Sequence, residues 1–217
     1  MAAKHKSFDD WSAQEVRLTF DIEATDSSEL LTSWLSKVIT PSQYVAEVLE
    51  EKRLILSRYF RSWNEDELKF QFIAHIVELA KLRGKRFSTF SQRILTAKPN
   101  NILLNGKPEV MVAMGIEEPI SPYFFIHEYK PTKSSGDPLG QVLSAMVAAQ
   151  YLNKDDSDRP VLGCFILSNT WQFLVLEGKT YTVSRAYNAT ENDDLTLIYA
   201  ALCQAKVYIE GWVNSSK

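Results

Sequence analysis

Glu109, Glu128, Lys130 and Gln141 are the residues of this 217-residue chain whose types and spacing suit chemistry. Glu109 follows Pro108 and opens the apolar run Val110–Met114. Glu128-Tyr129-Lys130 closes a second apolar run, Tyr123–His127, and Gln141 follows Lys130 by eleven residues. Side chains alternate along a strand, so Glu128 and Lys130 share one face while His127 and Tyr129 take the other. Two carboxylates and a lysine at the end of an apolar sheet suit a hard divalent cation and a phosphate. Mg2+ takes oxygen ligands, typically one or two carboxylates with water and substrate phosphate around them. Lys130 would then hold the phosphate or help orient an attacking water, and the metal would neutralise charge developing on phosphorus. The E-x-K tripeptide has a second reading, a surface ion pair worth ~0–1 kcal/mol.

The elements that must position these residues follow from the apolar spacing. The first 26 residues are polar and read as an irregular arm. Helical spacing predicts helices over 27–39, from Ser42 to about Arg61, and from Asn64 to Gly84. Strands are expected at Phe87–Thr96, Asn101–Leu104, Glu109–Met114 and Tyr123–Lys130, with Asn105-Gly106 as a hairpin turn. Asp137-Pro138 is a strong helix start, an N-cap followed by proline in the first turn, and puts Gln141 early in a helix running to Leu152. Strands are expected again at Val161–Leu167, Trp171–Leu176 and Thr180–Ala186, before a final helix from Asp193 to Val213. The order predicts an α/β fold with a mixed sheet flanked by helices. The step from Tyr123 to Leu167 should join parallel strands through a helix.

Composition sets outer bounds. A net charge of −3, with 45% hydrophobic and 24% charged residues, is ordinary for a globular protein and marks no general polyanion binder. Between Leu79 and Pro108 there is no acid but there are seven bases: Lys81, Arg83, Lys85, Arg86, Arg93, Lys98 and Lys107. This block reads either as a solvated face or as a nucleic-acid contact through Arg83, Lys85, Arg86, Arg93 and Lys107. The loop from Asn153 to Pro160 is acidic. Cys164 and Cys203 lack metal-ligand spacing and read as free thiols in a reducing compartment. No secretory signal or membrane-length apolar run is visible, so a cytoplasmic protein is expected. There is no Ser/His/Asp arrangement, phosphate-binding glycine loop or zinc spacing.

Pro108-Glu109, Glu128-x-Lys130 and the following helix with Gln141 together resemble the PD-(D/E)XK nuclease superfamily, and His127–Lys130 with Asp137–Gln141 resemble a bacterial branch of it. The resemblance covers roughly Asn64 to Leu167. It implies a restriction-endonuclease-like core, residues 64–217, with residues 1–63 as an arm and helical elaboration packed into the same unit. It implies Mg2+ or Mn2+ held by Glu109 and Glu128, with Lys130 and Gln141 in the catalytic group, and phosphodiester hydrolysis in nucleic acid, DNA first. A homodimer is compatible with it. The family's usual aspartate is replaced by Glu109, one methylene longer. A glutamate from the first core helix looks like Glu67, with Glu65 and Glu78 as competitors. Glu67 also fits a capping box with Asn64. The alternative function is a non-catalytic nucleic-acid-binding or regulatory protein that retains the fold.

Overall fold

A computed structural model describes residues 5–130, 136–153 and 159–215. The acidic loop residues Asp155, Asp156 and Asp158 lie outside this range. The arm is more ordered in kind than its polar sequence suggests. It forms a short strand β1 (His5–Ser7), a 3-10 turn (Phe8–Asp10), helix α1 (Ala13–Phe20) and strand β2 (Glu23–Ala24). Phe8, Trp11, Val16 and Phe20 are all buried, so four apolar anchors suffice to fix it. Helices α2 (Glu29–Leu35) and α3 (Gln43–Tyr59) follow where the periodicity puts them, each capped by a serine, Ser28 and Ser42.

The third helical stretch is composite. It runs through α4 (Glu65–Leu68), a π-helical turn (Lys69–Ile73) and α5 (Ala74–Ala80). It ends at Lys81, which takes the left-handed conformation (φ 51°), and not at Gly84. Gly84 serves a close approach instead: a Cβ there would lie 2.4 Å from the Phe87 ring.

The expected strand from Phe87 to Thr96 is two strands. Gln92, with φ 56°, breaks β3 (Phe87–Ser91) from β4 (Leu95–Ala97). The Asn105-Gly106 hairpin does not form either. Both residues lie inside β5 (Leu103–Gly106), where Leu95 pairs with Gly106. A Cβ at Gly106 would lie 2.4 Å from the Phe8 ring, so this glycine lets the arm pack closely. Strands β1, β5 and β4 thus make a small separate sheet.

The main sheet takes β6 (Val110–Met114), β7 (Ile120–Lys130), β8 (Val161–Leu167), β9 (Thr170–Glu177), β10 (Thr180–Val183) and β11 (Tyr187–Asn188). Its order is β2-β10-β9-β8-β7-β6-β3, with β11 on β9. Helix α6 (Pro138–Leu152) connects β7 to β8, which run parallel as expected, and α7 (Asn192–Ser215) closes the chain. β2 and β10 are also parallel, whereas β3·β6, β6·β7, β8·β9, β9·β10 and β9·β11 are antiparallel. The fold is therefore α/β, a mixed sheet flanked by helices.

Two apolar layers hold the sheet. On one face, α2, α3, α5 and α7 enclose Trp34, Phe72, Phe125, Tyr129, Trp171 and Phe173. The Trp34 indole donates to the Ala201 carbonyl (2.7 Å), tying α2 to α7. On the other face, α6 and the arm cover Phe90, Met111, Ile126 and Leu174. Helix α6 is buried almost all round, which its alanines permit. Among the described residues no helix is long and apolar enough to cross a membrane.

Asp137 couples the arm to α6. Its carboxylate accepts the Gly140 N–H (3.1 Å) as N-cap and the Ala13 N–H (2.7 Å) at the start of α1. A Cβ at Gly140 would stand 2.2 Å from the Trp11 carbonyl oxygen. Gly140→Ala should therefore push the arm off α6 at the usual ~1–3 kcal/mol cost of overpacking. An unchanged urea midpoint would show that the arm does not depend on this contact.

Candidate functional site

Glu109 precedes β6, and Val110 pairs with His127 of β7, so Glu109 and Glu128 stand side by side at the end of the strand pair. Alternation along β7 then sends Glu128 and Lys130 to the arm side of the sheet. His127 and Tyr129 turn into the opposite aromatic layer, against Phe125 and Trp171. His127 is fully buried, and burial lowers its pKa to about 3, so it remains neutral. The site side is a cavity of about 390 Å³ whose walls include Asp9, Glu65, Gln92, Glu109, Glu128 and Lys130.

Four carboxylates, Asp9, Glu65, Glu109 and Glu128, meet three ammonium groups here: Lys107 and Lys130 on the cavity wall and Lys69 beside Glu109. The Lys69 Nζ lies 3.0 Å from Glu109 Oε2, and the Gln92 amide donates to Glu109 Oε1 (2.6 Å). Lys130 Nζ lies 3.5 Å from Glu65 Oε2 and 4.0 Å from Asp9 Oδ1. Gln141, itself buried, donates through Nε2 to Asp9. With all seven charges present, one negative charge is left over.

That imbalance shows in proton affinity. Burial pushes the Glu128 carboxyl well up, and the Glu109 and Asp9 carboxylates add to it, while Lys130 and the Glu109 backbone N–H pull the other way. Glu65 is also raised, first by burial and then by Glu109, against the pull of Lys130. The pocket thus holds carboxylates closer together than their lysines can neutralise.

Among the described residues no group of three or more His, Cys, Asp or Glu side chains forms a ready-made metal cage. The donor set nevertheless suits a hard cation, since Glu109 and Glu128 offer carboxylate oxygens from neighbouring strands to one cavity. Glu109 Oε2 is buried and accepts no aligned hydrogen bond. The Lys69 ammonium is near enough for an ion pair but is not directed along a hydrogen bond, so a lone pair of this oxygen remains unused.

The structure brings together Glu109, Glu128, Lys130 and, through Asp9, Gln141. It does not bring Glu67. That carboxylate accepts the Asn64 N–H (2.8 Å) while the Asn64 side chain accepts the Glu67 N–H (2.9 Å), a complete capping box. Glu65 is the helix acid that faces the site. Glu78 pairs with Arg83 at 2.5 Å on the surface.

The basic block divides among separate places. Arg83 is held by Glu78, Arg93 by Glu118 (3.1 Å), and Arg86 donates to the Val213 carbonyl at the end of α7. Lys85 lines a cleft with Arg86 beside α7, and only Lys107 of the five lines the site cavity. Arg83, Lys85 and Arg86 lie before β3, and the break at Gln92 turns the chain that carries Arg93 toward the small sheet.

Asp9, Lys69 and Gln92 are site residues that the sequence did not single out. Lys69 had a signal, since Glu65 and Lys69 are four apart and share a helix face. Asp9 had only its aromatic neighbours Phe8 and Trp11, which promise an anchor but not a destination. Gln92 had none, because its placement depends on its left-handed backbone. No family model matches the chain, and no curated protein matches it.

A carboxyl whose folded pKa exceeds its unfolded value binds its proton more tightly when folded. Stability is then lost as pH rises above about 4.5, the ordinary value for Glu128. Glu128→Gln removes that loss. The variant should be more stable than wild type at pH 7.5 by ~1–3 kcal/mol, the scale of a poorly compensated buried polar group, and the two should converge near pH 4. Urea unfolding at both pH values measures this. A difference that is absent or independent of pH would mean that the Glu128 charge is well compensated.

Proposed function

We propose that the cavity hydrolyses phosphodiester bonds of nucleic acid, DNA first, with a divalent cation, Mg2+ or Mn2+. The observation that carries this is the convergence of Glu109, Glu128 and Lys130 on one cavity at the ends of two paired strands. The chain order around it supports the reading: a helix at 65–80, strands β3, β6 and β7, helix α6, then strand β8 parallel to β7. With β4 and β5 inserted after β3, this order is compatible with the PD-(D/E)XK resemblance.

Glu109 and Glu128 would hold the cation, which when bound supplies positive charge against the phosphate and makes a water more acidic. The chain's own groups do the rest. Lys130 is a cation at the cavity wall with Glu65 and Asp9 as its counter-charges, so its Nζ is fixed near the place of a phosphate oxygen. Its three N–H groups give it donors beyond those two contacts. Gln141 is held through Asp9 and lies in the first turn of α6, where the helix dipole favours an anion. The aromatic layer behind β7 keeps His127 neutral and away from the cavity, so proton transfer falls to the carboxylates and Lys130.

One observation favours a second reading, a nucleic-acid-binding or regulatory protein without catalysis. Glu109 has Lys69 against one oxygen and Gln92 on the other, so its charge is already answered from within the chain.

Incubation with supercoiled, linear and single-stranded DNA in Mg2+ and in Mn2+ separates the two. Wild type should cut at least one substrate. Lys130→Ala should lose at least about 100-fold, the lower range for a positioned proton-transfer group. Because the Lys130 side chain is only 15% exposed and offsets Glu65 and Glu128, its loss should also cost stability, so activity is compared where both proteins are folded by circular dichroism. Intact DNA under every condition would favour the second reading.

Lys107 supplies a separate check on contact with a polyanion. Binding of a labelled duplex in Ca2+ should weaken with Lys107→Glu, and the slope of log affinity against log salt should fall by about 0.9, one phosphate contact. An unchanged slope would remove Lys107 from the interface.

A further inference from the structure

Lys69 stands where a cation would go. Its Nζ is 3.0 Å from Glu109 Oε2, the buried oxygen that accepts no aligned hydrogen bond. The other oxygen of Glu109 is taken by Gln92. Glu109 is only 6% exposed, so an ion approaching it from the cavity must contend with the ammonium already there. Lys130 is not equivalent, because its partners are Glu65 and Asp9.

We propose that Lys69 is a built-in counter-cation for Glu109, which a divalent ion displaces when it binds. This rests on the metal reading above and adds a device that sets metal affinity from within the chain. The displaced ammonium has a second place to go. Lys69 also lines a neighbouring cavity of about 260 Å³, walled by Phe70, Ile73, Val77, Val110 and Tyr129. Its Nζ already lies 5.4 Å from the centre of the Tyr129 ring, within cation–π range. The Tyr129 hydroxyl is buried and has no hydrogen-bond partner among the described residues, so it can accept from an ammonium that turns inward. The side chain starts at the first residue of the π-helical turn Lys69–Ile73, a helix irregularity common at functional positions. One lysine therefore has two stations, the carboxylate on the site side and the aromatic hydroxyl on the far side.

The test is direct binding of Mg2+ by calorimetry and of Mn2+ by electron paramagnetic resonance, with no substrate present. Lys69→Met keeps the length of the side chain and removes its charge. It should bind both ions about tenfold or more tightly than wild type, because a unit charge next to the ligand oxygen has been deleted. In a Glu109→Gln background the same change should give little gain, since the carboxylate that the lysine guards is gone. Equal or weaker binding by Lys69→Met overturns the proposal and leaves the metal reading in place. A gain that persists undiminished with Glu109→Gln also overturns it, as a general field effect. Absence of binding in wild type and variant alike removes both the proposal and the metal reading. Should Lys69→Met not fold, Mn2+ soaked into crystals of the wild-type chain decides the matter. The Lys69 Nζ should then lie beyond ion-pair distance of Glu109 and close to the Tyr129 hydroxyl; an ammonium still at Glu109 beside bound Mn2+ overturns the proposal.

Discussion

Four carboxylates with Lys69, Lys107 and Lys130 meet in and beside one partly buried cavity at the ends of β6 and β7, and their mutual neutralisation constrains everything around them. A buried carboxylate is tolerated only when partners or protons offset its charge. Here the partners come from four directions. Lys69 arrives from the helix, Lys130 from β7 itself, Gln92 from the break after β3, and Gln141 acts through Asp9 from α6. The cluster therefore couples the arm, the composite helix, the sheet and the connecting helix. A shift in any of them changes the charge balance at Glu128, which has the least direct compensation.

The arm shows how packing delivers a charge. Phe8 and Trp11 flank Asp9 and are both buried against α6 and the small sheet. Gly106 and Gly140 let the backbone and rings approach, and Asp137 bonds to the first turns of both helices. Asp9 is exposed in its own right, so its position is a consequence of the neighbours' burial and not of its own. The N-terminal residues consequently belong to the site as much as to the scaffold. On the opposite face, α2 and α3 complete the other apolar layer with α7. The first 63 residues thus serve both sides of the sheet.

The aromatic layer behind β7 has a separate role. His127 and Tyr129 alternate with Glu128 and Lys130, so one strand presents an apolar, neutral face and a charged face. The strand is anchored by burial of Phe125 and Tyr129 and by pairing on both edges. That anchoring fixes the direction of the charged residues far more firmly than their own ion pairs do. Lys69 touches both sides, pairing with Glu109 and lining the cavity beside Tyr129.

Period and capping made much of this legible in the sequence. The apolar spacing located α2, α3, α6 and α7, and the alternation along β7 separated Glu128 and Lys130 from His127 and Tyr129, because those patterns are set by local backbone geometry. Asp137-Pro138 marked the start of α6, and Asn64 with Glu67 marked a capping box, for the same reason. The Asn105-Gly106 hairpin failed because the turn signal measures what a glycine permits locally, whereas Phe8 from a distant segment uses that glycine for contact. The helix end at Gly84 failed likewise, because the Phe87 ring fills the space beside it. The single strand through Gln92 failed because its left-handed backbone is sustained by the surroundings that bring its side chain to Glu109. Membership of the charge cluster was decided by the tertiary structure alone. Choosing Glu65 over Glu67, and adding Asp9 and Lys69, depends on which surfaces pack together across long sequence separations, and no local spacing encodes that.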